Sequence, residues 1–364
     1  MLSALALLGF LISINSTTVE VSKSYTTKVK AANYMKQSME LLKSTRMVSG
    51  IFVDDENDPN ETGLVGSPFS LITTDEGDLD AKLTTLDPNF AAGMVELMDQ
   101  LGLQKNDTVA VLVTGSMPGA NMAVLSALKA IEAYPVTITS VGASQWGANQ
   151  VDFTWLDMEK ILHANQLISS RSISASIGGR NDMGRLLSPA GRAIITENIE
   201  KHGMPLIKKT KLAENIALRM KTFEDFADIK NYKAMINVGG GVASLGTSFN
   251  SKLLPAGIIR RSDIQNISLQ DGGIEGVLPK FSKNNIPVLH ILNIKSLTEQ
   301  LGMPFAPIPL PEIGVGSLYA IERYNLLIAF ICLSVICGSV FIVGYQSKKE
   351  IKEHLVNHEP DSLL

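Results

Sequence analysis

A stretch of 19 residues without a charged side chain, Leu326 to Gly344, constrains this chain most strongly. An α-helix rises about 1.5 Å per residue, and an apolar helix needs about 20 residues to cross the hydrocarbon core of a bilayer. Tyr324 and Tyr345 bracket the stretch, as aromatic side chains do at membrane interfaces. The sequence therefore predicts a transmembrane helix over 324–345, followed by a tail over 346–364.

A second apolar stretch, Leu2 to Ile14, lies at the other end of the chain. Its length is that of a signal-peptide core, but no Lys or Arg precedes it and no small-residue cleavage site follows. Residues 1–15 are therefore an anchor or a cleaved signal, and the missing cleavage site favours the anchor.

The lysines around these segments give conflicting signals about orientation. Lys348, Lys349 and Lys352 follow the second span, which indicates a cytoplasmic tail and an extracytoplasmic domain. Three lysines that follow the first segment favour the opposite orientation. Because long domains translocate largely regardless of such charges, we predict a protein of the cytoplasmic membrane whose bulk lies outside the cytoplasm.

Between the two apolar ends, hydrophobic strands alternate with helices of 10–18 residues. Such alternation is typical of βαβ units and predicts an α/β fold with a Rossmann-like, mostly parallel, doubly wound sheet. The predicted parts are a membrane-proximal helix over 16–50, an α/β ectodomain over 51–302 and a Pro/Gly-rich linker over 303–323.

The net charge of −4, with no basic stripe, argues against nucleic-acid binding. Both cysteines lie in the predicted transmembrane helix, so no disulfide framework is expected outside it.

Three polar, glycine-containing loops follow predicted strands, at residues 114–121, 142–149 and 239–244. Ligands bind open parallel sheets at the carboxyl ends of the strands, and glycine lets the backbone approach an anion closely. Ordinary turn chemistry explains such glycines equally well, and no P-loop or GxGxxG motif is present. The predicted ligand-binding residues of these loops are Gly115, Asn121, Trp146, Asn149, Asn237, Gly239, Gly240, Gly241 and Ser244.

A fourth loop places Arg180, Asp182 and Arg185 among glycines. Two arginines at this spacing are candidates for a carboxylate clamp, because a guanidinium pairs with a carboxylate through two hydrogen bonds. A solvated loop with surface arginines is the alternative.

Ser116 and Ser144 are the candidate nucleophiles, since both follow a predicted strand directly, although neither lies in a GxSxG motif. His290 ends a strand and is the candidate base. The acidic residues Asp54, Glu56 and Asp58 alternate as in a calcium loop, but Pro59 stands where such a loop needs glycine. A solvated acidic loop is favoured there, no metal site is predicted, and no cofactor is indicated.

Seven ordered motifs together resemble the bacterial poly-gamma-glutamate system protein family (PgsW-like), and they cover essentially the whole region between the apolar ends. They are NDPNETGLVG (57–66), TTDEGDLDAK (73–82), DPNFAA (87–92), SVGASQWGAN (140–149), FTWLDME (153–159), SPAGR (188–192) and INVGGGVASLG (236–246). Basic residues expected before the first apolar run are missing from this chain. The resemblance brings no assigned active site.

The resemblance implies a membrane-anchored accessory protein of poly-gamma-glutamate biosynthesis, export or surface display. Such a protein would bind the polymer or its precursors and other membrane subunits of the same machinery. The alternative is an enzyme on that polymer, a γ-glutamyl hydrolase or transferase with a serine nucleophile. The absence of GxSxG favours the binder, whereas the number of polar loops favours the enzyme.

Overall fold

The computed structural model describes residues 2–51, 53–54, 56–265 and 274–357. The chain forms two compact units, one made of residues 1–22 and 320–364 and the other of residues 23–319. We call the first the terminal unit and the second the α/β unit.

The helices are numbered in chain order. They are α1 (Leu2–Asn15), α2 (Tyr25–Val48), α3 (Leu79–Thr85), α4 (Asn89–Gln100), α5 (Pro118–Ile131), α6 (Trp155–Ala164), α7 (Pro189–Lys201), α8 (Leu212–Phe226), α9 (Val242–Leu245), α10 (Asn250–Leu253), α11 (Val277–Lys283), α12 (Ile294–Leu301) and α13 (Leu326–Asn357). The strands are β1 (Thr17–Val21), β2 (Thr108–Thr114), β3 (Tyr134–Ser140), β4 (Asn149–Gln150), β5 (Phe153–Thr154), β6 (Ser174–Ser176), β7 (Leu206–Ile207), β8 (Tyr232–Val238), β9 (Gly257–Ile259), β10 (Val288–Ile291) and β11 (Ala320–Tyr324).

The terminal unit joins the two apolar ends of the chain. β1 and β11 pair antiparallel, and α1 packs on α13 where a Cβ on Gly9 would lie 3.0 Å from Ile336 Cδ1. Asn325 caps α13, since its side-chain oxygen accepts from the backbone N–H groups of Leu327 (3.1 Å) and Ile328 (3.2 Å). Within the described part of the chain, α13 is the one helix long and apolar enough to cross a membrane, and α1 is shorter.

The α/β unit is built on a seven-stranded sheet of order β7-β6-β3-β2-β8-β10-β9. All neighbouring pairs are parallel except β10 and β9, which pair antiparallel at one edge. The prediction of an α/β fold with a mostly parallel sheet is confirmed. Followed along the chain, the strands are added outward from β2 on one side of it, in the order β3, β6 and β7. The next strand, β8, then pairs with β2 on its other side.

Both faces of this sheet are covered. On β2, Val109, Val111 and Val113 join one apolar cluster, whereas Ala110 and Leu112 join another. Alternate residues of a strand point to opposite faces, so a strand buried on both faces is continuously apolar, as β2 is. The first cluster includes side chains of α2, α4, α5 and α12, and the second includes side chains of α8 and α11.

The segments predicted to lead to the membrane pack on the α/β unit. Ala31, Met35 and Leu42 of α2 are buried in the first apolar cluster. Residues 303–319, predicted as a linker, also belong to this unit: Leu318 accepts a 2.7 Å hydrogen bond from Lys28 Nζ, and Tyr319 is 1% exposed. The rest of the predicted linker contains β11, which was not predicted.

The acidic loop is folded inward and is not the solvated loop that the sequence favours. Asp58 is 1% exposed and accepts from Gly63 N–H (2.6 Å) and Thr62 Oγ1 (2.8 Å). Asp54 is also buried and accepts from Asn57. Asn57 donates to both oxygens of Asp54, and Oδ2 of Asp58 accepts both hydrogen bonds of that carboxylate, so the two residues act as turn-capping acceptors.

Candidate functional site

A cavity of about 850 Å³ lies at the carboxyl ends of the central strands. Ser116 after β2, Ser144 after β3 and Gly239–Gly241 after β8 all line it. The three loops singled out in the sequence thus converge on one cavity. Residues 178–182, the segment that precedes and begins α3, and residues 246–248 and 292–295 also line it.

The segment before α3 is fixed against the loop after β3 by backbone hydrogen bonds. Thr74 N–H donates to Ala143 O (2.8 Å), and Gln145 N–H donates to Asp75 O (3.1 Å). Gly77 must be glycine here, because a Cβ would lie 2.4 Å from Gln145 O. Asp78 then caps α3 by accepting from Ala81 N–H (3.2 Å). The result is that α3 begins directly beside Ser144.

Lys82 on α3 reaches into the cavity wall between the two candidate serines. It is 5% exposed, and its Nζ donates to Ser144 Oγ (3.0 Å), Ser116 O (2.5 Å) and Met117 Sδ (3.2 Å). Burial, which disfavours the charged form, lowers the pKa of Lys82 to about 8, and nearby Asp78 opposes this shift. Among the described residues, all hydrogen-bond partners of Lys82 are uncharged. No sequence motif singles out this lysine.

The two serines are joined through the backbone. Ser116 Oγ accepts from Ser144 N–H (2.9 Å) and from Thr114 Oγ1 (3.3 Å). Ala148 N–H donates to Gly115 O (2.7 Å), and a Cβ on Gly115 would lie 2.3 Å from Val141 O. Glycine at 115 therefore lets the loops after β2 and β3 touch, which is its role here, and it is not among the residues that line the cavity.

Asn121, Trp146 and Asn149 do not line the cavity. Asn121 Nδ2 donates to Thr114 O (2.8 Å), and Asn149 bonds both the N–H and the C=O of Ser67. Trp146 is half-buried against the first apolar cluster. The structure uses these side chains to hold the loops. No helix begins directly behind Ser144, because the β4–β5 hairpin follows that loop.

Asp182 is engaged in a buried ion pair with Arg219, and both side chains are 2% exposed. Both guanidinium Nη atoms of Arg219 contact the carboxylate, and Nη2 also donates to Ser176 Oγ (2.6 Å) and Ser140 Oγ (3.1 Å). Arg219 ties the loop at 178–182 to the ends of β3 and β6. It was not predicted.

Arg180 and Arg185 are both exposed, but they do not face the same space. Arg180 lines the cavity, whereas Arg185 is outside its lining. The paired clamp that the spacing predicts is therefore not formed at the cavity. A second cation at the cavity is Lys295 on α12, which is exposed.

His290 is separated from both candidate nucleophiles. It is fully buried, its Nδ1 accepts from Asn237 Nδ2 (2.9 Å), and its Nε2 has no partner in the described part of the chain. Burial lowers the pKa of His290 to about 4, so the ring is neutral near pH 7. Ser244 donates to Asn237 Oδ1 (2.5 Å), and these three residues form a network behind Gly239–Gly241 without lining the cavity. The histidine–serine pairing that the sequence left open is not assembled.

Gly240 and Gly241 are exposed at the cavity. Neither N–H group donates to a backbone or side-chain acceptor in the described ranges. Over those same ranges, no group of three or more His, Cys, Asp or Glu side chains is arranged to hold a metal ion. The cavity therefore offers backbone N–H donors, exposed cations, exposed carboxylates and a lysine–serine contact as its chemistry.

Comparison with protein-family models, curated proteins and solved structures finds no match to this chain.

Proposed function

We propose that this chain is a membrane-anchored accessory protein of poly-gamma-glutamate biosynthesis, export or surface display, and that its cavity binds γ-glutamyl units. The observation that carries the proposal is the meeting of three strand-end loops at one cavity with Arg180, Lys295 and two glycine N–H groups in its wall. A γ-glutamyl unit presents a free α-carboxylate and an amide, and these groups match cations and N–H donors. The volume of about 850 Å³ lies within the range of small-molecule sites.

The charge distribution of the cavity favours one end of a γ-glutamyl chain over its middle. The cavity lining carries both signs of charge. Its cations are Arg180 and Lys295, and its carboxylates are Asp75, Glu76 and Asp78. The interior of the polymer is uniformly anionic, whereas its amino end carries an ammonium group that suits carboxylates. Short γ-glutamyl oligomers with a free amino group are therefore the proposed ligands.

The strand order supports this location of the site. A Rossmann-like, doubly wound sheet reverses its winding between two neighbouring strands, and ligands bind in the crevice outside that point. Here the order leaves β2 in one direction and resumes at β8 on its other side, and Ser116 and Gly239 follow those two strands. We assign the sheet to this doubly wound class as part of the proposal.

Removing the two exposed cations of the cavity is expected to weaken binding of γ-glutamyl oligomers. Each exposed charge contributes about 0–1 kcal/mol, so Arg180→Ala with Lys295→Ala is expected to raise the Kd about tenfold, or about 1.4 kcal/mol. Affinity of the natural chain should also fall as salt is raised, because screening weakens these attractions. Calorimetric titration of the detergent-solubilised full chain with tri-γ-glutamate, at two salt concentrations, measures both effects.

A matched control removes the same charge elsewhere. Arg185 lies outside the cavity, and Lys233 is exposed near the amino end of β8, away from the carboxyl edge. Arg185→Ala with Lys233→Ala should leave the Kd unchanged. Equal weakening by both double variants would show that net charge, and not the cavity, governs binding, and no binding by the natural chain would overturn the proposal.

As a further part of the proposal, the α/β unit lies outside the cytoplasmic membrane and the tail over 346–364 is cytoplasmic. Lys348, Lys349 and Lys352 on the last turns of α13 support this orientation, because basic residues flank spans on the cytoplasmic side. The apolar faces of α1 and α13 would then contact lipid and other membrane subunits of the machinery. Protease added to intact spheroplasts should degrade the α/β unit and spare a C-terminal tag. Loss of the tag with survival of the α/β unit would show the opposite orientation.

A further inference from the structure

The surroundings of Lys82 differ from those of the other fully buried lysine. Lys28 is 2% exposed and forms a 2.6 Å ion pair with Glu96. Lys82 is 5% exposed, yet its three described hydrogen-bond partners are a hydroxyl, a carbonyl and a thioether. A buried ammonium without a carboxylate partner is costly, because burial disfavours charge. A lysine of this kind more readily takes the neutral form that a general base needs.

The hydroxyl beside Lys82 faces the space where a ligand would lie. Ser144 Oγ is 3.0 Å from Lys82 Nζ, which is within the distance for direct proton transfer, and both residues line the cavity. The backbone of Ser144 is held on both sides, since its N–H donates to Ser116 Oγ and the following Gln145 N–H donates to Asp75 O. This arrangement fixes the nucleophile and the base relative to each other.

We propose that Ser144 and Lys82 form a catalytic dyad for acyl transfer, in which Ser144 is the nucleophile and Lys82 is its general base. The substrate class, an amide of a γ-glutamyl group, rests on the proposed function. The proposal that Ser144 is an activated serine does not depend on the proposed function.

Each step of the reaction balances. Neutral Lys82 takes the proton of Ser144 Oγ as the oxygen attacks the γ-carbonyl carbon. The C–N bond of the amide then breaks, the resulting Lys82 ammonium returns the proton to the leaving amine, and a γ-glutamyl ester of Ser144 remains. Water, or the amino group of another chain end, attacks this ester and gives its proton to Lys82. Ser144 leaves and regains that proton, so the net reaction is amide hydrolysis with water or γ-glutamyl transfer with an amine.

Ser116 is placed to assist this chemistry as a second catalytic residue, which stabilises the oxyanion. Its oxygen accepts from Ser144 N–H and Thr114 Oγ1, and its own hydroxyl proton has no acceptor among the described residues. That proton is available to the oxyanion that forms on the carbonyl. Ser116→Ala should therefore slow turnover of an amide while covalent capture still occurs at Ser144.

The test is covalent labelling of the detergent-solubilised full chain with an alkyl fluorophosphonate. In this reaction Ser144 Oγ forms a bond to phosphorus, fluoride leaves, and Lys82 takes the proton. Mass spectrometry of proteolytic peptides is expected to find the adduct on Ser144 of the natural chain. An adduct on Ser116 or another serine, or no adduct, would overturn the dyad.

Removing the base tests the role of Lys82. Lys82→Met keeps the length and apolar stem of the side chain, and its labelling rate is expected to fall at least about 100-fold, since general base catalysis is typically worth 10²–10⁴-fold. Ser169 and Lys233 are exposed and lie outside the cavity, so Ser169→Ala and Lys233→Ala should label Ser144 at the natural rate. Labelling of folded Lys82→Met at the natural rate would overturn the role of Lys82.

The pH dependence of labelling provides a test without any variant. The pKa of Lys82 is lowered to about 8 by burial, so about a tenth of the lysine is neutral at pH 7 and most of it is neutral above pH 9. The rate should rise through pH 8 and then level off. A rate that is flat between pH 6 and pH 9.5 would contradict the dyad even if Lys82→Met failed to fold.

An amide substrate distinguishes failure of the dyad from failure of the proposed function. Hydrolysis of γ-glutamyl-p-nitroanilide, together with labelling, supports both. Labelling of Ser144 without binding or hydrolysis of γ-glutamyl compounds would retain the dyad and overturn the substrate class. Binding of tri-γ-glutamate without labelling would retain the accessory binding function and overturn the dyad.

Discussion

Replacing Asp182 by asparagine is expected to lower the free energy of unfolding by about 3–5 kcal/mol, the usual cost of leaving one member of a buried ion pair without its partner. Arg219 would keep its charge at a position that is 2% exposed. Its remaining partners would be the hydroxyls of Ser140 and Ser176 and the neutral amide at position 182, and none of these can neutralise a guanidinium. Urea unfolding of the full chain in detergent, followed by tryptophan fluorescence, measures this loss because Trp146 and Trp155 both belong to the α/β unit.

A double variant distinguishes the ion pair from general disruption of the loop. Arg219→Met with Asp182→Asn removes the uncompensated charge and should be more stable than Asp182→Asn alone, although both serines lose their donor. Glu132→Ala breaks the exposed contact with Lys105 and should change stability little. If the double variant loses the sum of both single losses, the two residues are not energetically coupled.

The same ion pair links stability to the site. Arg219 contacts Ser140 and Asp182, and both of these residues line the cavity. Loss of Asp182 should therefore displace the loop that carries Arg180 as well as destabilise the sheet. The loop predicted to clamp a ligand with two arginines is held in place by a third arginine on a distant helix.

The central elements were predictable because their local signals are strong. β2 is a continuous apolar run, and α5 begins with Pro118 at its first position, which is pre-organised for a helix start. The observed helix extends over Pro118–Ile131. The exposed strands β1 and β11 were missed, because a five-residue strand such as TTVEV gains its stability from a partner about 300 residues away.

The loops of the candidate site were predictable, but the roles of their side chains were not. Asn121 and Asn149 have the same amide whether they bind a ligand or a backbone carbonyl, and here they bind Thr114 and Ser67. Which of the two occurs depends on how neighbouring loops pack, and a sequence pattern does not specify that packing.

The two missed residues carry weak signals that become clear only in the fold. Lys82 lies in a seven-residue helix whose positions 81–85 are all buried, and lysine is almost never buried at a typical helix position. Arg219 lies between Ile216 and Phe223 on the apolar stripe of α8, where a charged residue indicates a buried partner. In this sequence, a charged residue at a buried helix position is therefore the best indication of a residue that lies beside the cavity.

Glu159 is expected to make stability fall as pH rises from about 4.5 to about 7. It is fully buried on α6, its Oε1 accepts from Ser172 Oγ (2.8 Å), and its Oε2 has no partner in the described part of the chain. Burial raises the pKa of Glu159 from the ordinary 4.5 to about 7, against the smaller opposing effects of Ser172 and Arg171. Because the folded-state pKa is raised, the contribution is fully present below pH 4.5 and is lost as pH rises through 7.

Glu159→Gln should remove this pH dependence, because glutamine keeps the hydrogen bond and carries no charge at any pH. At about 1.4 kcal/mol per pH unit between the two pKa values, the variant should gain about 3 kcal/mol relative to the natural chain between pH 4 and pH 8. Urea unfolding of both proteins at those two pH values gives this difference. Glu200 is exposed on α7, and Glu200→Gln should show no such gain. An equal difference at pH 4 and pH 8 for Glu159→Gln would mean that Glu159 ionises in the folded protein as readily as in the unfolded chain, and that its buried oxygen has found a donor.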